Sequence, residues 1–184
     1  MQRYYKITDP TAVAAVEQYE AKKATLASAG RAFASHFGGT AIFRYCSYSY
    51  SFGGVVFRPE KPTDLWQHPD DQNGYTQRPR TRLKSPINKD LKAPHKALLA
   101  EWDAKWNECF PDGRSVDRGE ANTAIGYNDG MAILCGDSFL AFVHDGAVWV
   151  TTRLDIRKDA EEITGGQFEA VRLAAESDLS LRAA

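Results

Sequence analysis

Phe139-Leu-Ala-Phe-Val-His-Asp-Gly-Ala-Val-Trp-Val-Thr-Thr152 is the stretch on which the reading of the fold turns. Apolar and β-branched side chains fill its two arms, and Asp145-Gly146 divides them. A two-residue type I′ loop needs positive φ at both central positions, a conformation that an Asp-Gly pair tolerates. The sequence therefore predicts a hairpin with Phe142 opposite Trp149 and Val143 opposite Val148. Met131 to Cys135 reads as one more short strand ahead of it, set off by Gly136-Asp137-Ser138. The last third of the chain is then an antiparallel meander.

Working outward, a second strand pair lies at Thr40 to Pro59, TAIFRYCSYSYSFGGVVFRP, between the two best helix signals. Ile42 to Tyr50 is apolar on both faces in its first half and on one face in its second, as for a strand entering a core at one end. Val55 to Phe57 is its expected return partner, with Gly53 and Gly54 permitting the connection. Ahead of the pair, Asp9 and Pro10 mark a helix start, because Asp accepts from free N–H groups and Pro pre-sets φ at the first helical position. Val16, Tyr19, Leu26, Gly30, Phe33 and Phe37 then fall on an arc of about 100°, one buried stripe, until Gly38-Gly39 ends it. The second helix is expected to begin between Asn88 and Pro94 and to reach Phe110. Its buried face carries Leu91, His95, Leu98, Leu99, Trp102, Trp106, Cys109 and Phe110 on an arc of about 120°. Arg3 to Ile7 reads as an opening strand and Gln167 to Leu181 as a short terminal helix, with fraying from Arg182. The order predicts an α+β fold: a mostly antiparallel sheet with two principal helices and a short C-terminal helix.

A length of 184 residues suits a single domain over 1–184, large enough to bury a core without staples. Cys46, Cys109 and Cys135 are odd in number, widely spaced and set among apolar residues. They read as small buried hydrophobes of a reducing compartment, which predicts a cytosolic protein. No apolar run reaches the roughly 18 to 20 residues of a membrane span, and MQRYYKITDP lacks the apolar region of a signal peptide. Neither a membrane nor a cofactor is expected, since Gly53-Gly54 and Gly165-Gly166 lack the spacing of a phosphate-cradling loop. His36, His68, His95 and His144 stand tens of residues apart, without the spacing of a metal site. His95, in the middle of an apolar stripe, reads as a satisfied core or boundary histidine. Asp112, Asp117 and Glu120 read as a solvated connection, lacking the regular spacing of a calcium loop. The nucleophile candidate is Cys135 at a turn, with His144 as a base on the next strand.

Net charge is only −1, yet its distribution is uneven. Gly74 to Lys96 holds Arg78, Arg80, Arg82, Lys84, Lys89, Lys92 and Lys96 against Asp90, giving +6 there and −7 elsewhere. Within it Tyr75 to Lys84, YTQRPRTRLK, ends a long loop of about 60–86 that is rich in proline. Leu65, Trp66 and Tyr75 are expected to pin that loop to the body. In an extended chain Arg78, Arg80 and Arg82 would project on one side about 7 Å apart, near the spacing of successive phosphates, and Trp66 and Tyr75 could stack bases. Three readings stay open at this level: a loop that is solvated or paired with the chain's own acidic surplus, a nucleic-acid site, and a site for an acidic protein. Trp66, Tyr75, Arg78, Arg80, Arg82 and Lys84 are the candidate binding residues.

The opening YYKITDPTAVAAVEQYEAKKATLASAGRAFASHFG, followed by SFGGVVFRPEKPTDLWQHPDDQNGYTQRPR, resembles a family of small proteins of Mu-like temperate bacteriophages and their prophages. The resemblance is carried by the tyrosine-lysine start, the alanine-rich helix, the Gly-Val-Phe strand ending in proline, and the tryptophan-to-RPR excursion. It covers roughly the first half of the chain. It implies a bacterial host cytosol, an α+β fold and an accessory phage role, and it brings no catalytic residues with it. The combined expectation is a non-enzymatic accessory protein that binds a host or phage protein, or nucleic acid, through the basic loop. The alternative is a small cytosolic enzyme with a Cys/His site beside the sheet. A homodimer is a further expectation, for an exposed aromatic surface.

Overall fold

A computed structural model describes residues 1–43, 55–59, 64–67, 78–113, 119–126, 140–153 and 156–182. The elements, in chain order, are β1 (Arg3–Ile7), α1 (Pro10–His36), β2 (Gly39–Phe43), β3 (Val55–Pro59), a 3-10 turn at Lys89–Leu91, α2 (Lys92–Cys109), α3 (Gly119–Ala124), β4 (Leu140–His144), β5 (Ala147–Thr152), β6 (Glu161–Ile163) and α4 (Gly165–Arg182). The fold is α+β, and every strand pairing is antiparallel. These elements gather into two compact units, with α1 supplying residues to both.

The first unit is a four-stranded sheet of order β4-β5-β1-β6. The expected hairpin forms as read: Asp145 and Gly146 take φ of 49° and 69°, and Phe142 faces Trp149 with Val143 opposite Val148. β1 lies along β5, where Tyr5 pairs with Val150 and Ile7 with Val148. On one face Tyr5, Ile7, Val148 and Val150 bury against Ala12 and Val16 of α1, Ala121 of α3 and Ile125 just after it. On the other, Phe168 of α4 lies 5.3 Å from the ring of Tyr4 and 5.6 Å from that of Phe142. Odd and even positions of β1 thus serve opposite layers, as the two-residue period of a strand requires. The start of α1 matches its sequence signal, with Asp9 Oδ1 accepting from Thr11 N at 2.9 Å ahead of Pro10. α4 begins two residues earlier than expected and equals α2 in length. Thr164 and Gln167 form a capping box there: Thr164 N donates to Gln167 Oε1 at 2.9 Å, and Gln167 N donates to Thr164 Oγ1 at 3.2 Å.

Arg157 ties the start of α1 to the end of α3. Its guanidinium meets Asp9 Oδ2 at 2.7 Å, grips both carboxylate oxygens of Asp159, and donates to the carbonyl of Ala124 at 3.0 Å. The Thr11 N–H and the Arg157 guanidinium hold the Asp9 carboxyl below its ordinary value, and Arg157 does the same to Asp159. The turn after α3 reaches Gly126 with φ +81°, where an added Cβ would stand 2.4 Å from the backbone nitrogen of Arg157.

In the second unit, Phe33 is completely buried at the centre of an aromatic cluster. Its ring meets Trp102 at 4.6 Å and Trp106 at 5.3 Å, both edge to face, and Phe110 at 5.7 Å. The two predicted helix stripes supply all of these rings. β2 pairs with β3, but in a register that sets Phe43 opposite Val55. A tight turn at Ser51 to Gly54 would have put Tyr50 there instead. Of the expected strand Ile42 to Tyr50, the described residues Ile42 and Phe43 pair with Val56 and Val55, and Arg44 to Gly54 lie outside the described residues, as do Cys135 and the expected strand at Met131 to Cys135.

Two substitutions probe the two units separately. Gly126→Ala combines a left-handed backbone with a backbone clash and should cost about 2–4 kcal/mol, read as a lower denaturant midpoint. Phe33→Ala should cost about 3–5 kcal/mol and diminish the near-ultraviolet circular dichroism of the packed tryptophans.

Candidate functional site

The basic segment starts as a pinned strand rather than a free loop. Trp66 and Pro79 face each other in an antiparallel bridge whose bonds run from Gln67 N to Arg78 O at 3.0 Å and from Arg80 N to Leu65 O at 2.9 Å. Proline fits this place because the residues beside it make the hydrogen bonds, so its missing N–H costs nothing. Pro79 is fully buried, and Trp66 packs 5.7 Å from Phe37 and 5.6 Å from Trp102. Leu65 and Trp66 thus anchor the loop as the sequence suggests, while Tyr75 lies outside the described residues.

The arginines take three different places. Arg78 is exposed and pairs with Asp103 of α2 at 2.8 Å. Arg80 is half-buried, its Nε is enclosed without an acceptor among the described residues, and its carbonyl accepts from His95 Nε2. Since a carbonyl can only accept, Nε2 carries the proton. His95 is therefore the satisfied boundary histidine that the apolar stripe implies, and its role is to clamp the segment to α2. Beyond Arg80 the chain bends at Thr81 and Arg82, so an even comb of guanidinium groups covers only Arg78 and Arg80. Arg82 and Lys84 are exposed.

Past the bend come cations that the candidate set omits. Lys89, Lys92 and Lys96 are all exposed and spaced three and four apart, so they share one face across the 3-10 turn and the first turns of α2. Their helical spacing was legible in the sequence once the helix start was placed. Among the described residues, Arg82, Lys84, Lys89, Lys92 and Lys96 are in no ion pair. The acids of α2 are all engaged: Glu101 with His36 at 2.8 Å, Asp103 with Arg78, and Glu108 with Lys105 at 2.5 Å. α2 has no acid in its first turn and no base in its last. Its charges therefore run against its own dipole, whose positive end lies among the lysines.

Elsewhere the chemistry is sparse. His144 Nε2 stands 3.4 Å from Asp145 and its Nδ1 4.0 Å from Asp178, but its suggested partner Cys135 is outside the described residues. Cys109 is half-buried, and burial pushes its thiol up, away from the reactive thiolate. Among the described residues, no group of His, Cys, Asp and Glu could hold a metal ion, and no helix is long and apolar enough to cross a membrane.

An α+β protein with one strongly cationic segment is the class that this geometry defines. Residues 1–180 match the sequence profile of the family described as Bacteriophage Mu gene product 12, and the chain belongs to that family. The match extends the resemblance seen in the first half to nearly the whole chain. No curated protein and no solved structure matches it.

His95→Ala removes the clamp on Arg80. It should weaken the protection of the Arg80 amide in hydrogen exchange by the equivalent of about 1–3 kcal/mol, the cost of an unsatisfied buried acceptor. Unchanged protection would mean that the bridge to Leu65 holds the segment alone.

Proposed function

We propose that this member of the Mu gene product 12 family is a non-enzymatic accessory protein that works in the host cytosol. It binds an anionic macromolecule through the cationic segment from Arg78 to Lys96. One observation carries the reading: five exposed cations from Arg82 to Lys96, with only Asp90 among them in the sequence, lack ion pairs among the described residues, while each acid of α2 has one. Lys89 and Lys92 crowd the positive end of a helix, where a cation costs about 0.3–1 kcal/mol at low ionic strength. A partner's negative charge would offset that cost. Arg78 and Arg80 frame the segment, Trp66 roots it, and Tyr75 belongs to the same excursion.

The test is a salt series of binding to single-stranded DNA, double-stranded DNA and poly-glutamate, with wild type and an Arg82, Lys89, Lys92, Lys96→Ala variant. Wild type should bind at low salt and lose affinity steeply as salt rises, and the variant should bind weakly with a shallower slope. The variant should be as stable as wild type or slightly more so, because it relieves the helix end. Absence of wild-type binding to all three probes at low salt, or equal binding by the variant, would overturn the reading.

A further inference from the structure

We infer that the anionic partner is a protein, and that an apolar side chain within its acidic segment seats on Ile87. The inference rests on the binding surface proposed above and names its partner. Three large hydrophobic side chains are strongly exposed among the described residues, Met1, Ile87 and Leu173, and Ile87 alone lies in the cationic segment, 55% exposed. It stands three residues after Lys84 and two before Lys89, and all of its neighbours from Lys84 to Asp90 are exposed.

The chain immediately after it is held in place. Asn88 Oδ1 accepts from Asp90 N at 3.0 Å and Asn88 O accepts from Leu91 N at 3.2 Å, fixing the entry to the 3-10 turn. An exposed aliphatic side chain beside an ordered turn, with Lys84 and Lys89 within three residues of it in the chain, suits a protein interface, with an apolar centre and a charged rim. A single-stranded nucleic-acid site asks for something else: beyond phosphates, it offers bases that stack on flat rings. Trp66 is half-buried with its ring packed on Phe37 and Trp102, and an isoleucine offers no face for stacking. Charge complementarity therefore selects an acidic partner, and the isoleucine selects a protein.

The experiment places photoreactive benzoylphenylalanine at position 87, or separately at position 82, in the full chain inside bacteria carrying the phage. Cross-linked products are identified by mass spectrometry. Capture at both positions of one protein, through a segment rich in Asp and Glu that meets position 87 with an apolar residue, is the expected result. The purified partner should then bind Ile87→Ser at least about tenfold more weakly than wild type, since the buried side chain of an isoleucine accounts for that much. Capture at 82 but not at 87 would overturn the inference and leave the broader proposal standing. Nucleic acid, a second copy of this chain or a segment poor in acids at position 87 would also overturn it. No capture at either position would overturn both.

Discussion

Burial of the apolar stripe along α1 is the constraint on which the rest of the structure depends. Ala12 and Val16, near its start, close over β1 and β5, while Phe33, about five turns on, lies in the aromatic cluster of the second unit. A 27-residue helix of this composition draws most of its stability from such packing, because propensity alone leaves isolated helices marginal. Each core in turn needs α1 to complete it. The Asp9 cap, the Pro10 start and the Arg157 brace fix where the helix begins, and hence which residues face the sheet.

What was legible in the sequence was local. Asp145-Gly146 announces its hairpin because the turn chemistry is contained in two residues, and the stripes of α1 and α2 follow from periodicity alone. β6 was not legible: Glu161-Glu162-Ile163 has no alternation, and it becomes a strand by pairing with the free edge of β1. α3, with six residues and few apolar ones, owes its form to Ala121 and Ile125 meeting the core. The Thr164-Gly-Gly-Gln167 capping box was readable and would have placed the start of α4 correctly. For β2 and β3 the glycine pair signals a permissive connection but does not fix a register, which the pairing of Phe43 with Val55 decides.

The candidate site shows the same division. Composition finds the excess of positive charge, yet it treats every cation alike. The fold sorts them, because Asp103 lies 25 residues from Arg78 and His95 lies 15 from Arg80, separations that no local pattern spans. Arg78 and the backbone of Arg80 become part of the scaffold, and the unpaired charge moves downstream to Arg82, Lys84 and one face of the helix start. Lys89, Lys92 and Lys96 belong together only once that start is known.

Rigidity decides what such a surface can do. A mobile basic tail would lose conformational entropy on binding and would accept any polyanion. Here the segment is stitched at Leu65 and Gln67, clamped by His95 and capped by Asn88, so its charges are held on an ordered frame before any partner arrives. Cations placed against a helix dipole raise the energy of the free protein, and in the binding we propose a partner's negative charge would offset that cost. The stability forgone at the start of α2 is recoverable because the aromatic cluster around Phe33 anchors the rest of that helix, so the end can carry like charges without unwinding.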